Sequence, residues 1–327
     1  MSRVVVAGGA GFLGSHLCDR LVARGDEVVC IDDLSTGRAD NVRQLDAHAA
    51  FTLVVADVSA EVPVDGGVDA VCHLASPASP PAYLERPLET LAVGSEGTRR
   101  LLELAERCGA RFLLASTSEV YGDPTVHPQV ETYRGNVDPV GPRSVYDEAK
   151  RFAEALTMAH HRVRDVDVAI VRIFNTYGPR LTPGDGRVVS NFVVQALAGE
   201  PITVYGDGSQ TRSLCYVDDE VRGLLSILDS SLTGPVNLGN PDERTVLELA
   251  QLVLEVTGST SEIAFAALPT DDPTRRCPDI TLARRELGWE PSVPIAEGLS
   301  RTTDYFAALM PSHPLGRPST GGRHTNG

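Results

Sequence analysis

Tyr146 and Lys150 stand one helical turn apart in Tyr146-Asp-Glu-Ala-Lys150, at the head of a stretch that reads as a helix through His161. On a helix, i and i+4 share a face, so a phenol and an ammonium would lie side by side. A neighbouring ammonium, with any further positive charge bound nearby, favours the phenolate and draws Tyr146 from about 10 toward working pH. Tyr146 could then take the proton of a substrate hydroxyl as a general base. A hydroxyl from the end of an earlier strand would complete the set, and Thr117 in Leu113-Leu-Ala-Ser-Thr-Ser-Glu119 is the candidate. Alone, Tyr-x-x-x-Lys is equally what a solvated helix surface carries, so its weight depends on what precedes it.

What precedes it is a nucleotide signature. The apolar run 3–7 enters Gly8-Gly-Ala-Gly11-Phe-Leu-Gly14 and then a helical pattern from Ser15 to Val22. One glycine makes the tight turn, one lets backbone approach a pyrophosphate, and one lets helix and strand pack closely. A second apolar run closes on Ile31-Asp32-Asp33. There Asp32 can accept from an adenosine ribose and repel a 2′-phosphate, which favours NAD over NADP. Asp57 and Val58, after a third run, would flank the adenine.

These residues need a scaffold. Short β-branched runs at 3–7, 27–31, 51–56, 69–74, 111–115 and 167–173 alternate with longer amphipathic stretches. Runs that are apolar throughout suit parallel strands covered on both faces, so the fold class expected is α/β, a Rossmann-type doubly wound parallel sheet. Residues 1–180 form the NAD-binding domain in this reading, with later segments returning to it. After Pro179, loops such as Thr182-Pro-Gly-Asp-Gly186 and Tyr205-Gly-Asp-Gly-Ser209 mark a smaller α/β substrate-binding lobe over 181–310. Residues 311–327, rich in Pro, Gly, Ser and His, read as a disordered tail.

Composition narrows the rest. A formal charge of −15 argues against nucleic-acid binding, which needs clustered Lys and Arg. Six scattered cysteines form no paired zinc or redox spacing, so no metal is expected and the thiols read as reduced. The chain lacks an apolar run long enough for a membrane span, and its N-terminus enters a strand directly, so a cytoplasmic protein is expected.

The glycine loop, Tyr146 and Lys150 resemble the extended short-chain dehydrogenase/reductases that modify nucleotide sugars. The resemblance sharpens in His73-Leu-Ala-Ser-Pro-Ala-Ser-Pro-Pro81, Ser116-Thr-Ser-Glu-Val-Tyr-Gly-Asp-Pro124, Arg172-Ile-Phe-Asn-Thr-Tyr-Gly-Pro-Arg180, Asp185-Gly-Arg-Val-Val-Ser-Asn-Phe192, Val204-Tyr-Gly-Asp-Gly-Ser-Gln-Thr-Arg212 and Val236-Asn-Leu-Gly-Asn-Pro241. Together these are similar to UDP-glucuronic acid decarboxylases over roughly residues 1–305. The resemblance implies that NAD⁺ takes hydride from C4 of a nucleotide-glucuronic acid while Tyr146 takes the hydroxyl proton. The resulting β-keto acid loses CO₂, and return of hydride gives the nucleotide xylose with no net redox change.

It also implies the site. The catalytic set is Thr117, Glu119, Tyr146, Lys150 and Arg276, the last a fork suited to a planar carboxylate. Cofactor contacts would add Phe12, Leu13, Asp33, Leu34, Ser35, Thr36, Gly37, Leu74, Ser76 and Thr176. Substrate contacts would be Tyr83, Ser118, Asn175, Arg187, Val189, Ser190, Asn191, Phe192, Tyr205, Gly208, Ser209, Arg212 and Arg276, with Arg187 clamping the diphosphate. A homodimer through helices near 88–107 and 145–162 is implied by the family, and isologous dimers are the commonest oligomers.

The chain departs from the family at Ala92 and Gly94, where a Lys and an Asn are usual, and at Cys277, where Lys is usual. Dehydratases of the superfamily carry Asp where this chain has Ser118, which disfavours loss of water. A 4-epimerase, a 4,6-dehydratase and an NAD-binding regulator without catalysis are the competing readings. The base of the nucleotide, uridine or thymidine, is open.

Overall fold

The protein is described by a computed structural model over residues 1–141, 143–267 and 275–310. The tail expected over 311–327 lies outside the described residues.

The first half alternates strictly. Strands β1 (Arg3–Ala7), β2 (Glu27–Asp32), β3 (Phe51–Val55), β4 (Ala70–His73), β5 (Arg111–Thr117) and β6 (Val168–Ile173) fall on the six apolar runs. Between and around them run α1 (Phe12–Arg24), α2 (Pro80–Glu85), α3 (Pro87–Ala92), α4 (Thr98–Cys108) and α5 (Ser144–Arg164), with a π-helical turn Val93–Gly97 joining α3 to α4. The second half adds β7 (Thr176–Tyr177), α6 (Val188–Ala198), β8 (Ile202–Tyr205), β9 (Thr211–Ser213), β10 (Cys215–Tyr216) and α7 (Val217–Leu228). It ends with β11 (Val236–Leu238), β12 (Glu243–Thr245), α8 (Val246–Thr257), β13 (Ile263–Ala266), α9 (Thr281–Leu287) and α10 (Ile295–Leu309).

Seven strands make one parallel sheet in the order β11-β6-β5-β4-β1-β2-β3. Alternation along β1 explains why its run is apolar throughout: Val4 and Val6 enter one core layer, Val5 and Ala7 the other. The layer with α4 and α5 covers one face; α1, α7 and the later helices cover the opposite one. The order reverses at β1, between β2 and β4, which opens a crevice at the carboxyl ends of the strands. Outside the sheet, β8 pairs in parallel with β13, and α6 packs on α8.

Beneath the crevice, β7 and β10 pair in parallel over the first turn of α7, which carries Glu220. Glu220 is fully buried, and neither carboxyl oxygen has a well-formed hydrogen bond among the described residues. Burial pushes its pKa up to about 8, against smaller pulls from the Cys215 and Thr176 side chains. The unfolded chain releases this proton near pH 4.3, whereas the folded chain keeps it. Stability therefore falls as pH climbs from about 4 through the folded value of about 8. Glu220→Gln removes the ionisable proton, so its melting temperature should gain on the wild type between about pH 5 and about pH 8. Calorimetry at the two pH values checks this; a constant offset between the two proteins would refute it.

Candidate active site

The strand ends converge on one cleft of about 940 Å³. The β1–α1 turn forms its floor at the switch point. Gly8 has φ +78°, and a Cβ there would lie 2.5 Å from the Ala75 nitrogen; one on Gly14 would lie 2.1 Å from the Gly8 carbonyl oxygen. Only glycine lets the loop fold this tightly against β4 and itself. The amino end of α1 has no side-chain cap and no acid in its first turn, so its N–H groups remain for an anion. Asp32, at the end of β2, accepts from the Ala10 and Leu34 N–H groups at 2.9 Å each and still lines the cleft. Its carboxylate both ties the glycine loop to β2 and faces the position a ribose would take. Asp57 and Val58 after β3, and Leu74 and Ser76 after β4, line the same wall. These features fit a dinucleotide in outline and in chemistry.

At the centre, α5 presents Tyr146 and Lys150 from its first two turns, as the i, i+4 spacing predicts. Tyr146 is 6% exposed and its ring stacks on Tyr83 of α2, centroids 5.2 Å apart and planes 6° from parallel. The Tyr83 hydroxyl is buried without a hydrogen-bond partner among the described residues. The Lys150 ammonium donates to the Ala115 carbonyl at 2.9 Å and lies 5.9 Å from the Tyr146 ring centroid. Thr117, at the end of β5, accepts from the Glu119 N–H at 3.2 Å, and its hydroxyl exerts a pull on the Tyr146 phenol.

The electrostatics of the protein frame by itself oppose the phenolate. Burial pushes Tyr146 up to about 12, with a smaller opposing pull from Thr117. Burial likewise brings Lys150 down to about 8. The protein frame alone keeps the phenol protonated, because desolvation outweighs its polar neighbours. A positive charge bound in the cleft is what must lower it.

A second cluster adjoins the first. The short 3₁₀ turn Ser118–Tyr121 after β5 turns the Glu119 carboxylate toward Arg143 and Arg276, which donate to its Oε2 at 3.1 and 2.9 Å. Burial would raise Glu119, but the Arg276 and Arg143 guanidiniums outweigh it and hold the group below the usual carboxylate range. Arg276 is only 2% exposed and also donates to the Ser118 and Gly122 carbonyls at 2.8 and 3.0 Å. Next to Tyr146, Asp147 is pushed up to about 7 by burial and by the Glu119 charge.

The cleft is completed by Asn175 and Thr176 after β6, Arg187, Val189, Asn191 and Phe192 around the start of α6, and Tyr205 and Arg212. Arg187 donates to the Ala78 carbonyl at 3.1 Å and thereby ties the start of α6 to the proline-rich segment before α2. Four expected contacts are not among the lining residues. Leu34 turns away at φ 59° to pack on the core. Ser190 is fully buried and bonds back to Asp185 and Arg187. Gly208 and Ser209 form a turn in which Ser209 donates to Asp207. Conversely Arg143 and Gln210 line the cleft unforeseen; Arg143 follows a proline outside any recognisable motif, and only its proximity to Glu119 reveals it. Gly94 has a packing reason, since a Cβ there would meet that of Ala149 at 2.7 Å where the π-helical turn crosses α5.

The NAD dependent epimerase/dehydratase family matches residues 4–239. UDP-glucuronic acid decarboxylase 1 of Danio rerio is 53% identical over 305 residues, spanning 93% of this chain and 72% of that protein. Among solved structures, UDP-glucose 4-epimerase of Thermotoga maritima superposes with TM-score 0.85 at 30% identity, over 94% of this chain and 99% of that one. A UDP-glucuronic acid 4-epimerase variant of Bacillus cereus, in complex with a fluorinated UDP-glucuronic acid and NAD, superposes with TM-score 0.84 at 26% identity, over 94% and 100%. The chain belongs to the NAD dependent epimerase/dehydratase family and, within it, to the UDP-glucuronic acid decarboxylases.

Proposed function

We propose that this chain is a carboxy-lyase converting UDP-glucuronic acid to UDP-xylose with NAD⁺ regenerated in each turnover. The observation that carries the reading is the placement of Glu119, Arg143 and Arg276 against Tyr146 in a cleft that begins at the glycine loop. An acid and two guanidiniums suit a sugar carboxylate and the carbon that bears it. A 4-epimerase acting on neutral sugars has no evident use for them.

Bound NAD⁺ supplies the acceptor for the C4 hydride and later returns it. Tyr146 takes the proton of the C4 hydroxyl with the Thr117 hydroxyl nearby favouring the phenolate, and its ring is fixed by the stack on Tyr83. Lys150, held by the Ala115 carbonyl, keeps positive charge beside the phenol. Arg276 orients the Glu119 carboxylate, which stays ionised and can hold a water whose proton goes to C5 once CO₂ has left. Arg187 and Arg212 on the lobe side suit the diphosphate. We read 1–180 as the dinucleotide domain and 181–310 as the substrate lobe on the same grounds.

A dimer through α3, α4 and α5 is supported by Leu88, Leu91 and Phe152, which are 76%, 39% and 50% exposed on these helices. A cytoplasmic location is supported by six free cysteines. None of the described helices is long and apolar enough to cross a membrane.

Incubation of the protein with UDP-glucuronic acid and NAD⁺ should release one CO₂ per sugar nucleotide without accumulating NADH. Mass spectrometry of the nucleotide product and absorbance of the cofactor read both. An isomeric product with its carboxylate intact would establish a 4-epimerase instead. Release of CO₂ only from the thymidine-linked substrate would reassign the base.

A further inference from the structure

We propose that His127, Glu243 and Cys277 form a site for a thiophilic divalent cation of the zinc class, one residue away from Arg276. The three side chains come from separate segments: a loop after β5, strand β12, and the stretch that carries Arg276. Their donor atoms, an imidazole nitrogen, a carboxylate oxygen and a sulfur, all lie within 4.8 Å of one another. His127 Nε2 is already 3.0 Å from a Glu243 carboxylate oxygen. Ligands at about 2.0–2.3 Å around a tetrahedral zinc ion sit roughly 3.3–3.8 Å apart, so a small closure on the sulfur side completes three positions. A set of N, S and O suits zinc or cobalt, whereas magnesium and calcium take oxygen alone. The fourth position would hold water, because His127 is exposed and gives entry from solvent.

The surroundings are built as a support. Gln129 accepts from the Cys277 N–H through its side chain and donates to the Cys277 carbonyl through its backbone, both at 2.9 Å. The segment bearing His127 is therefore pinned to the segment bearing Cys277. The second Glu243 oxygen accepts from the Thr211 hydroxyl, which fixes the carboxylate in the way outer partners orient metal ligands. Ser213, opposite Glu243 in the β9–β12 ladder, is 1% exposed and its hydroxyl has no well-formed partner among the described residues. It lies beside the Cys277 thiol and could hydrogen-bond a metal-held thiolate or water. On binding, the thiol proton goes to solvent and a metal–sulfur bond forms without any change of oxidation state.

The test uses the full chain, stripped with chelator and titrated with Co²⁺ alone, then Zn²⁺ alone. Co²⁺ should raise a thiolate-to-cobalt charge-transfer band, and one equivalent of Zn²⁺ should bleach it. Cys277→Ser should abolish the band, while His127→Ala and Glu243→Gln should weaken Co²⁺ binding at least about tenfold. Affinity should rise with pH by about tenfold per unit while the thiol is protonated. A wild type without the band, or a band that persists in Cys277→Ser, overturns the proposal. If Cys277→Ser does not fold, the exposed His127→Ala decides, and unchanged Co²⁺ affinity there overturns it equally.

Discussion

Tyr146→Phe should lower turnover by about 10²–10⁴-fold, the usual contribution of a placed general base, while leaving dinucleotide affinity and melting temperature unchanged. The selectivity follows from what the ring and the oxygen each do. The ring is 6% exposed and stacked on Tyr83, so a phenyl group fills the same space. Lys150 keeps its bond to the Ala115 carbonyl, which does not involve Tyr146. Only the hydroxyl and its interaction with the Thr117 side chain are lost. Stopped-flow turnover, fluorescence titration with NAD⁺ and calorimetry on the same preparation separate the three quantities. Turnover within about threefold of wild type would remove Tyr146 from the proton path. Loss of dinucleotide binding along with turnover would mean that the residue shapes the cleft instead.

Much of this scaffold is visible in the chain because buried parallel strands write uninterrupted β-branched runs. All six expected strands lie within a residue or two of their runs. The exceptions have tertiary causes: β5 extends to Thr117 because Ile173 pairs with it, and β2 includes Asp32 because Val55 does. The three-residue β11 has no period to read and joins the sheet only because β6 offers an edge. The site divides along the same line. Glycine turns and Tyr-x-x-x-Lys are local, so Gly8, Gly14, Asp32, Tyr146 and Lys150 are legible. Arg143, the Tyr83 stack, Glu220 and the His127–Glu243–Cys277 group depend on segments far apart in sequence meeting in space. Ser190, Gly208 and Ser209 show the converse, since motif membership does not reveal that a side chain closes its own turn.

Arg276→Ala should cost about 3–5 kcal/mol of stability as well as most of the activity, because it breaks a buried ion pair from one side. The guanidinium is 2% exposed and spends its donors on Glu119 and on the Ser118 and Gly122 carbonyls. Alanine takes the guanidinium donor away from those carbonyls and leaves the Glu119 carboxylate with Arg143 as its remaining direct hydrogen-bond donor of the two arginines. The paired Glu119, held below its ordinary range, contributes stability that is present above about pH 4.3 and is lost as pH falls through the folded value. In the variant that contribution shrinks, so the difference from wild type should narrow in acid. Adding Glu119→Gln to Arg276→Ala removes the stranded charge and should restore stability by about 0.5–3 kcal/mol, the range for directly coupled neighbours. Turnover should not recover, since neither the acid nor the fork is present. Urea unfolding of the four proteins, with CO₂ release measured in parallel, tests both halves. If the two substitutions add without coupling, Arg276 does not hold Glu119 in place. If the double variant regains turnover, the pair serves the fold and the decarboxylation must draw on other groups, of which Arg143 is the nearest in the same cluster.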